Sequence, residues 1–287
     1  GTLTNQGIEL EVGYKLSVDK VNLSFLANAS YVKNEIKNLG NQTGYIDKES
    51  LPTLGTVSRN QNGYPIGYFF GYKAIGVFQT QEEIDNYISP ATGKPIQPNA
   101  VPGDTKFEDL NGDGVISDDN EDRTMIGKPN PDWMVGLTVA ADWNGFDLSA
   151  FFQGSFGADV FDALRRYELA AVNYTSDALE RWTGPGTSNS MPRIVLGDTP
   201  KNFRPSTLLV HDASFLRLRN LQVGYTLPAQ LTRKAYIQRL RFYASFDNLL
   251  TITGYKGMDP EIGSTMGIDK GVYPQARVYT FGLNLTF

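Results

Sequence analysis

The run Trp133-Met134-Val135-Gly136-Leu137-Thr138-Val139-Ala140-Ala141-Asp142-Trp143 turns at Asn144-Gly145 and returns through Phe146-Asp147-Leu148-Ser149-Ala150-Phe151-Phe152. Trp133, Val135, Leu137, Val139, Ala141 and Trp143 alternate with small or polar residues, and Phe146, Leu148, Ala150 and Phe152 carry the alternation back. A two-residue period puts successive side chains on opposite faces of a strand, and Asn-Gly supplies the positive φ angles of a tight hairpin turn. The strands are long, and their aromatic residues gather at the ends. Globular strands average about 5 or 6 residues, whereas a tilted membrane-spanning strand takes roughly 9 to 11 with rings at both interfaces.

The same pattern extends in both directions. Ile8, Leu10, Val12, Tyr14, Leu16 and Val18 oppose Glu9, Glu11, Gly13, Lys15 and Ser17. After a turn at Asp19-Lys20, Val21, Leu23, Phe25, Ala27, Ala29 and Tyr31 continue opposite Asn22, Ser24, Asn28 and Ser30. Between 213 and 227 the parity changes: Leu216 and Leu218 fall on one face only if Leu221, Val223, Tyr225 and Leu227 are shifted by one residue, which predicts a bulge near Asn220. Leu240, Phe242, Ala244 and Phe246 oppose Arg241, Tyr243, Ser245 and Asp247, and Tyr279, Phe281, Leu283, Leu285 and Phe287 close the pattern.

A soluble sandwich alternates in the same way, because its core-facing residues also recur every second position. The connectors favour a membrane barrel: Asp19-Lys20 and Asn144-Gly145 are short, whereas roughly 157–212 and 253–274 are long, an asymmetry typical of outer-membrane barrels. The composition narrows the functions. With 26 Lys+Arg against 31 Asp+Glu, a net charge of -5 and no basic cluster, nucleic acid is not an expected partner. No cysteine is present, which excludes disulfides, thiolate zinc sites and a cysteine nucleophile. His211 is the only histidine, and Gly154-Ser155-Phe156-Gly157 lacks the spacing of a nucleophile elbow, so no catalytic residue is assigned. No apolar run is long enough for a spanning helix, which leaves a barrel open.

Asn130-Pro131-Asp132-Trp133, Asn144-Gly145-Phe146-Asp147-Leu148 and Gln153-Gly154-Ser155-Phe156-Gly157 resemble a stretch of the SusC/RagA family of TonB-dependent outer-membrane transporters. So do Phe215-Leu216-Arg217-Leu218-Arg219-Asn220-Leu221 with Gly224-Tyr225-Thr226-Leu227-Pro228, Tyr255-Lys256-Gly257 with Asp259-Pro260-Glu261, Pro102-Gly103-Asp104 with the acidic run from Asp109, and the aromatic C-terminus. The resemblance spans nearly the whole chain. It implies an all-β fold, an antiparallel transmembrane β-barrel of about 22 strands, of which residues 1–287 are the C-terminal part, with long extracellular loops containing short helices. It also implies that the plug domain and TonB box lie outside this chain, and that a SusD-like surface lipoprotein closes over the loops. With Phe287 at the periplasmic rim, strand parity puts the Asp19-Lys20 turn on the periplasmic side too. Residues 64–78 are either one more hairpin, giving about nine strands, or part of a long loop, giving about seven.

Asp109-Leu110-Asn111-Gly112-Asp113-Gly114-Val115-Ile116 matches the opening of an EF-hand-type calcium loop. Asp109, Asn111, Asp113 and the Val115 carbonyl are the candidate ligands of a structural Ca²⁺. Position twelve is Asn120 rather than a bidentate Glu, so Asp118, Asp119, Glu121 or Asp122 would substitute. A metal-free Asx-rich turn accounts for the same residues. Residues 158–182, with Val160, Phe161, Leu164, Tyr167 and Leu179, read as short rim helices. Trp182, Tyr167 and Tyr174 are candidate stacking surfaces for sugar rings, with packing as their competing role; Arg165, Arg166 and Arg193 are candidate contacts for an anionic substrate, with solvation of the loop as theirs. Three functions follow: import of an oligosaccharide or peptide, with Glu9, Glu11, Lys15, Arg241 and Asp247 facing the lumen; a soluble calcium-dependent carbohydrate-binding or adhesion β-sandwich; and a small passive pore. The importer belongs in the bacterial outer membrane, with lipid, the rest of the receptor and the TonB complex as further partners.

Overall fold

The computed structural model describes residues 1–118, 121–169, 172–262 and 266–287. Seven long strands form its largest sheet: β1 (Thr2–Val18), β2 (Val21–Asn38), β3 (Trp133–Trp143), β4 (Phe146–Phe156), β5 (Phe215–Thr226), β6 (Arg239–Thr253) and β7 (Val278–Thr286). They follow one another in chain order, each antiparallel to the next. Asn144 (φ 49°) and Gly145 (φ 89°) both take the left-handed backbone that a two-residue hairpin turn requires.

The register makes one face continuous. Val21 pairs with Trp143, Trp143 with Phe146, Phe146 with Tyr225, Tyr225 with Phe242 and Phe242 with Leu283, so an aromatic row crosses the sheet at the short-turn end. At the other end Tyr31, Trp133 and Phe156 are aligned. Between the two rows lie Leu10, Leu137, Val139, Leu148 and Phe281, and among the described residues nothing packs over this face: Leu10 is 62% exposed and Phe281 76%. The roughly ten residue steps from Trp133 to Trp143, at about 3.3 Å each and a tilt of about 40°, rise about 25 Å, the height of an apolar membrane band. A sandwich would bury this face under a second sheet; among the described residues no sheet does so. A pore complete in itself would join β1 to β7, which remain unpaired with each other.

The predicted bulge lies at Arg219, where Phe151 pairs with Asn220 and Phe152 with Leu218. On β6 the same level is irregular, with Asn248 at φ 53°. Residues 64–78 are not wall strands. Tyr68–Tyr72 is buried throughout and sits in a four-stranded sheet with Ser58–Gln61, Tyr45–Asp47 and Arg123–Gly127, which leaves seven strands in the wall. Residues 158–182 depart from the helical expectation. Val160 and Phe161 are neighbours in a strand, Asp159–Asp162, which is bracketed by Val210–Asp212 and Ile268–Asp269, and among the described residues of this span only Ser176–Glu180 forms a helical turn, a single 3-10 one. Their apolar residues face several surrounding segments, so a helical spacing coincides with a strand's burial.

The three long excursions, residues 39–132, 157–214 and 254–277, pack into one layer beyond the Tyr31–Trp133 end. Its core takes Leu51, Val57 and Phe69 from the first, Phe161, Ala163 and Leu209 from the second and Ile268 from the third. The Phe69 and Phe161 rings are 5.9 Å apart.

Candidate functional site: the polar wall and the loop layer

The second face of the sheet is mostly polar because the majority of residues between the apolar positions are small, hydroxyl, amide or charged, with Met134 and Tyr243 among the larger ones. Several of its polar side chains are joined across β4, β5 and β6. On β6, Arg241 donates to Asp147 of β4 at 2.9 and 2.5 Å and to Gln222 of β5 at 3.0 Å. Asn220 donates to Asp247 at 2.7 Å and to Ser245 at 3.0 Å. Leu26 and Phe151, which both pair with Thr138, are apolar exceptions on this face.

Above this wall the third excursion is clamped by two arginines. Arg217 donates to Asp259 at 2.5 Å, to Glu261 at 3.0 Å and to Thr251 at 2.9 Å. The Arg219 bulge turns its guanidinium to Glu261, at 2.6 Å to each oxygen, and to Gln153 at 2.6 Å. Bulges often re-aim a side chain in this way. Burial opposes the charged form of Asp259, but the backbone N–H groups of Gln275 and Glu261 together with Arg217 outweigh it and hold the carboxyl below its ordinary range.

Beside the clamp, Asp162, Arg165, Asp177, His211 and Lys256 gather between the second and third excursions. Arg165 bridges Asp162 at 2.9 Å and Asp177 at 2.7 Å, and Tyr255 donates to Asp269 at 2.7 Å. A cavity of about 400 Å³ opens here, lined by Arg165, Asp177, His211 and Lys256 among others. A larger one, about 920 Å³, lies where the turn bearing Tyr64 meets Asn34 and Asn130.

No protein-family model matches the chain. It is 32% identical over its whole length to TonB-dependent receptor P3 of Formosa agariphila and 30% identical to TonB-dependent receptor SusC of Bacteroides thetaiotaomicron, spanning 29% and 27% of those proteins. A solved RagAB peptide transporter superposes on 99% of the chain with a TM-score of 0.75 at 26% identity, and the RagAB peptide importer in a closed-closed state does so at 0.73 and 27%. The matched part is 29% and 30% of those solved chains. Over its whole length this chain is similar to TonB-dependent receptors of the SusC kind. Its seven-stranded sheet is barrel wall, with the apolar face outward and the polar face toward the lumen.

In this SusC-like chain four of the aromatic and basic candidates are distributed as follows. Tyr167 is buried, donates or accepts a hydrogen bond with Thr175 at 2.8 Å, and packs on Phe203 and Tyr174 at 4.9 and 5.6 Å. Tyr174 is 46% exposed at the mouth of a surface hollow. Trp182 lies over Gly103, where a Cβ would sit 2.4 Å from the indole, and donates to Gln79 at 3.1 Å. Arg193 is held by Asp104 at 2.6 Å. Trp182 and Arg193 thus meet at the Gly103-Asp104 turn, and the two tyrosines meet each other.

The acidic loop closes on its own backbone. Asp109 accepts from Gly112 and Gly114 at 2.8 and 2.9 Å, Asn111 accepts from Asp113 at 3.0 Å, and Asp113 accepts from Val115 at 2.8 Å. Buried Asp122 accepts from Leu110 and Ser117 at 3.1 and 3.0 Å. Asp118 reaches away to Lys201 and Arg204. Asp119 and Asn120 lie outside the described residues. Among the described residues no three His, Asp or Glu side chains converge on one point. The Arg217–Asp259 and Arg219–Glu261 clamps were visible in the sequence only as family motifs, because partners 42 residues apart leave no periodic signal.

Proposed function

We propose that this chain is the C-terminal part of a barrel of about 22 strands in the bacterial outer membrane, and that its receptor imports oligosaccharides or peptides with energy relayed by TonB. The observation that carries the proposal is the uncovered apolar face, bounded by two aromatic rows about 25 Å apart and backed by a polar wall. Unpaired backbone groups in hydrocarbon cost several kcal/mol each, so the free edges of β1 and β7 call for further strands of the same receptor. The plug and TonB box would lie elsewhere in that receptor, and a SusD-like lipoprotein would close on the loop layer. Nothing in this scheme uses catalysis.

The test is uptake by cells carrying the full receptor, using labelled oligosaccharides and labelled peptides, with and without TonB. Import of one class that stops without TonB supports the proposal; uptake indifferent to TonB defeats it. Nitroxides at Phe281 and Leu283 should be oxygen-accessible in a bilayer.

The acidic loop is the second part of the proposal: Asp109, Asn111, Asp113 and the Val115 carbonyl would hold Ca²⁺, which takes oxygen ligands only. What supports it is the donor spacing. Calorimetric titration of the purified receptor with CaCl₂ should show binding that Asp109→Ala with Asp113→Ala removes. Unchanged heats in the variant would assign these residues to a metal-free turn.

A further inference from the structure

The connectors at the short-turn end of the wall are unequal. Asp19-Lys20 and Asn144-Gly145 turn in two residues, whereas 227–238 carries the helical turn Ala229–Thr232 and the 3-10 turn Arg233–Ala235. Its base is tied to the wall: Leu227 N–H donates to Leu240 at 2.9 Å and Gln238 N–H to Thr286 at 2.8 Å. Thr232 is buried, and Ile237 N–H donates back to it at 3.2 Å. Everything else between 228 and 236 is exposed, including Leu231 at 62% and Tyr236 at 90%.

This protrusion has an unusual charge for a chain with a net charge of -5. From Ala213 to Phe246 the sequence has no Asp or Glu, and the connector itself carries Arg233 and Lys234. Arg239 opens β6 on the polar-face parity of Arg241, and among the described residues neither Arg233 nor Lys234 forms an ion pair with a carboxylate. The height is decisive. The connector begins about three residues beyond Tyr225 in the aromatic row, which at roughly 3.3 Å per residue and a 40° tilt is about 8 Å further along the membrane normal. That is the depth of the headgroup layer beside a hydrocarbon core.

We propose that residues 229–236 are an interfacial anchor that docks on the headgroups of anionic phospholipid, with Leu231 and Tyr236 entering the interface and Arg233 and Lys234 meeting the phosphate charge. Amphipathic segments with basic and aromatic residues bind membrane surfaces in this way, and each cation near an anionic surface favours binding by about fivefold. The two-residue turns beside it have no comparable reach. This inference rests on the outer-membrane reading of the wall.

The test uses the full receptor reconstituted in phosphatidylcholine vesicles with and without phosphatidylglycerol, carrying a nitroxide at Tyr236→Cys. Phosphatidylglycerol should raise the ratio of oxygen to nickel-chelate accessibility at position 236. Arg233→Glu with Lys234→Glu should abolish that rise while leaving a control label at Phe281→Cys unchanged. A label equally wet in both lipids, or equally shielded whatever the lipid and the charge, overturns the anchor; the second result would mean contact with another part of the receptor. If the Phe281 label is itself shielded from oxygen, the membrane reading fails instead.

Discussion

Arg217 is almost wholly buried and holds two carboxylates from a segment that is distant in sequence. Removing one partner of a buried pair leaves the other charge unpaired, at a cost of about 3–5 kcal/mol. Arg217→Ala should therefore destabilise the receptor by that amount in detergent unfolding and release the 254–262 segment to proteolysis, with Asp259→Asn milder. His211 is a second residue with a directional consequence. Burial, aided by Arg165, holds its imidazole below the ordinary value of 6.5, against the opposing pull of Asp162 and Asp177; Lys256 adds to the lowering. The unfolded chain takes up the proton first, so stability is full above about pH 6.5 and is lost as pH falls toward the depressed folded value. Asp198, pushed up to about 6 by burial, acts in the opposite sense and gains stability as pH falls through 6. His211→Gln should remove the acid-side loss, read as slower hydrogen exchange of the Asp159–Asp162 strand below pH 6.5 than in the unsubstituted protein.

Along a strand, the determining quantity is parity. Leu137 and Thr138 are neighbours near mid-height of β3, one facing out and one in. An arginine facing lipid at that depth costs about 2–4 kcal/mol, whereas the lumenal neighbour tolerates it. Leu137→Arg should lower the yield of heat-modifiable folded receptor in the membrane, and Thr138→Arg should leave it near normal; equal effects would contradict the assigned faces. The bulge belongs to this scale as well. One extra residue at Arg219 restores the apolar parity of Leu216 and Leu218 and directs a guanidinium at Glu261. The broken alternation therefore forecast the irregularity. What Arg219 contacts was hidden, since β-sheet register constrains the strand and not the loop that descends on it.

At the scale of the molecule, the loop layer is joined by a core to which all three excursions contribute. Phe161→Ala, at a fully buried ring, should cost about 3–5 kcal/mol in that layer. The wall strands should survive it: strand content by circular dichroism stays near normal while limited proteolysis of the excursions accelerates. Loss of the wall itself would show that layer and wall fold as one unit.

Residue order alone was enough for the seven wall strands, their faces, the short turns and the place of the bulge, because two-residue alternation is a local property written into adjacent positions. It could not settle residues 64–78 or 158–182, whose strands are short, buried on every side and built from partners far apart in the chain. Folding in three dimensions decided those, along with the arginine clamps, the packing of Tyr167 and Trp182, and the direction of Asp118. The physical reason is that an apolar wall against lipid answers to one periodic boundary, whereas a packed loop layer answers to many neighbours at once.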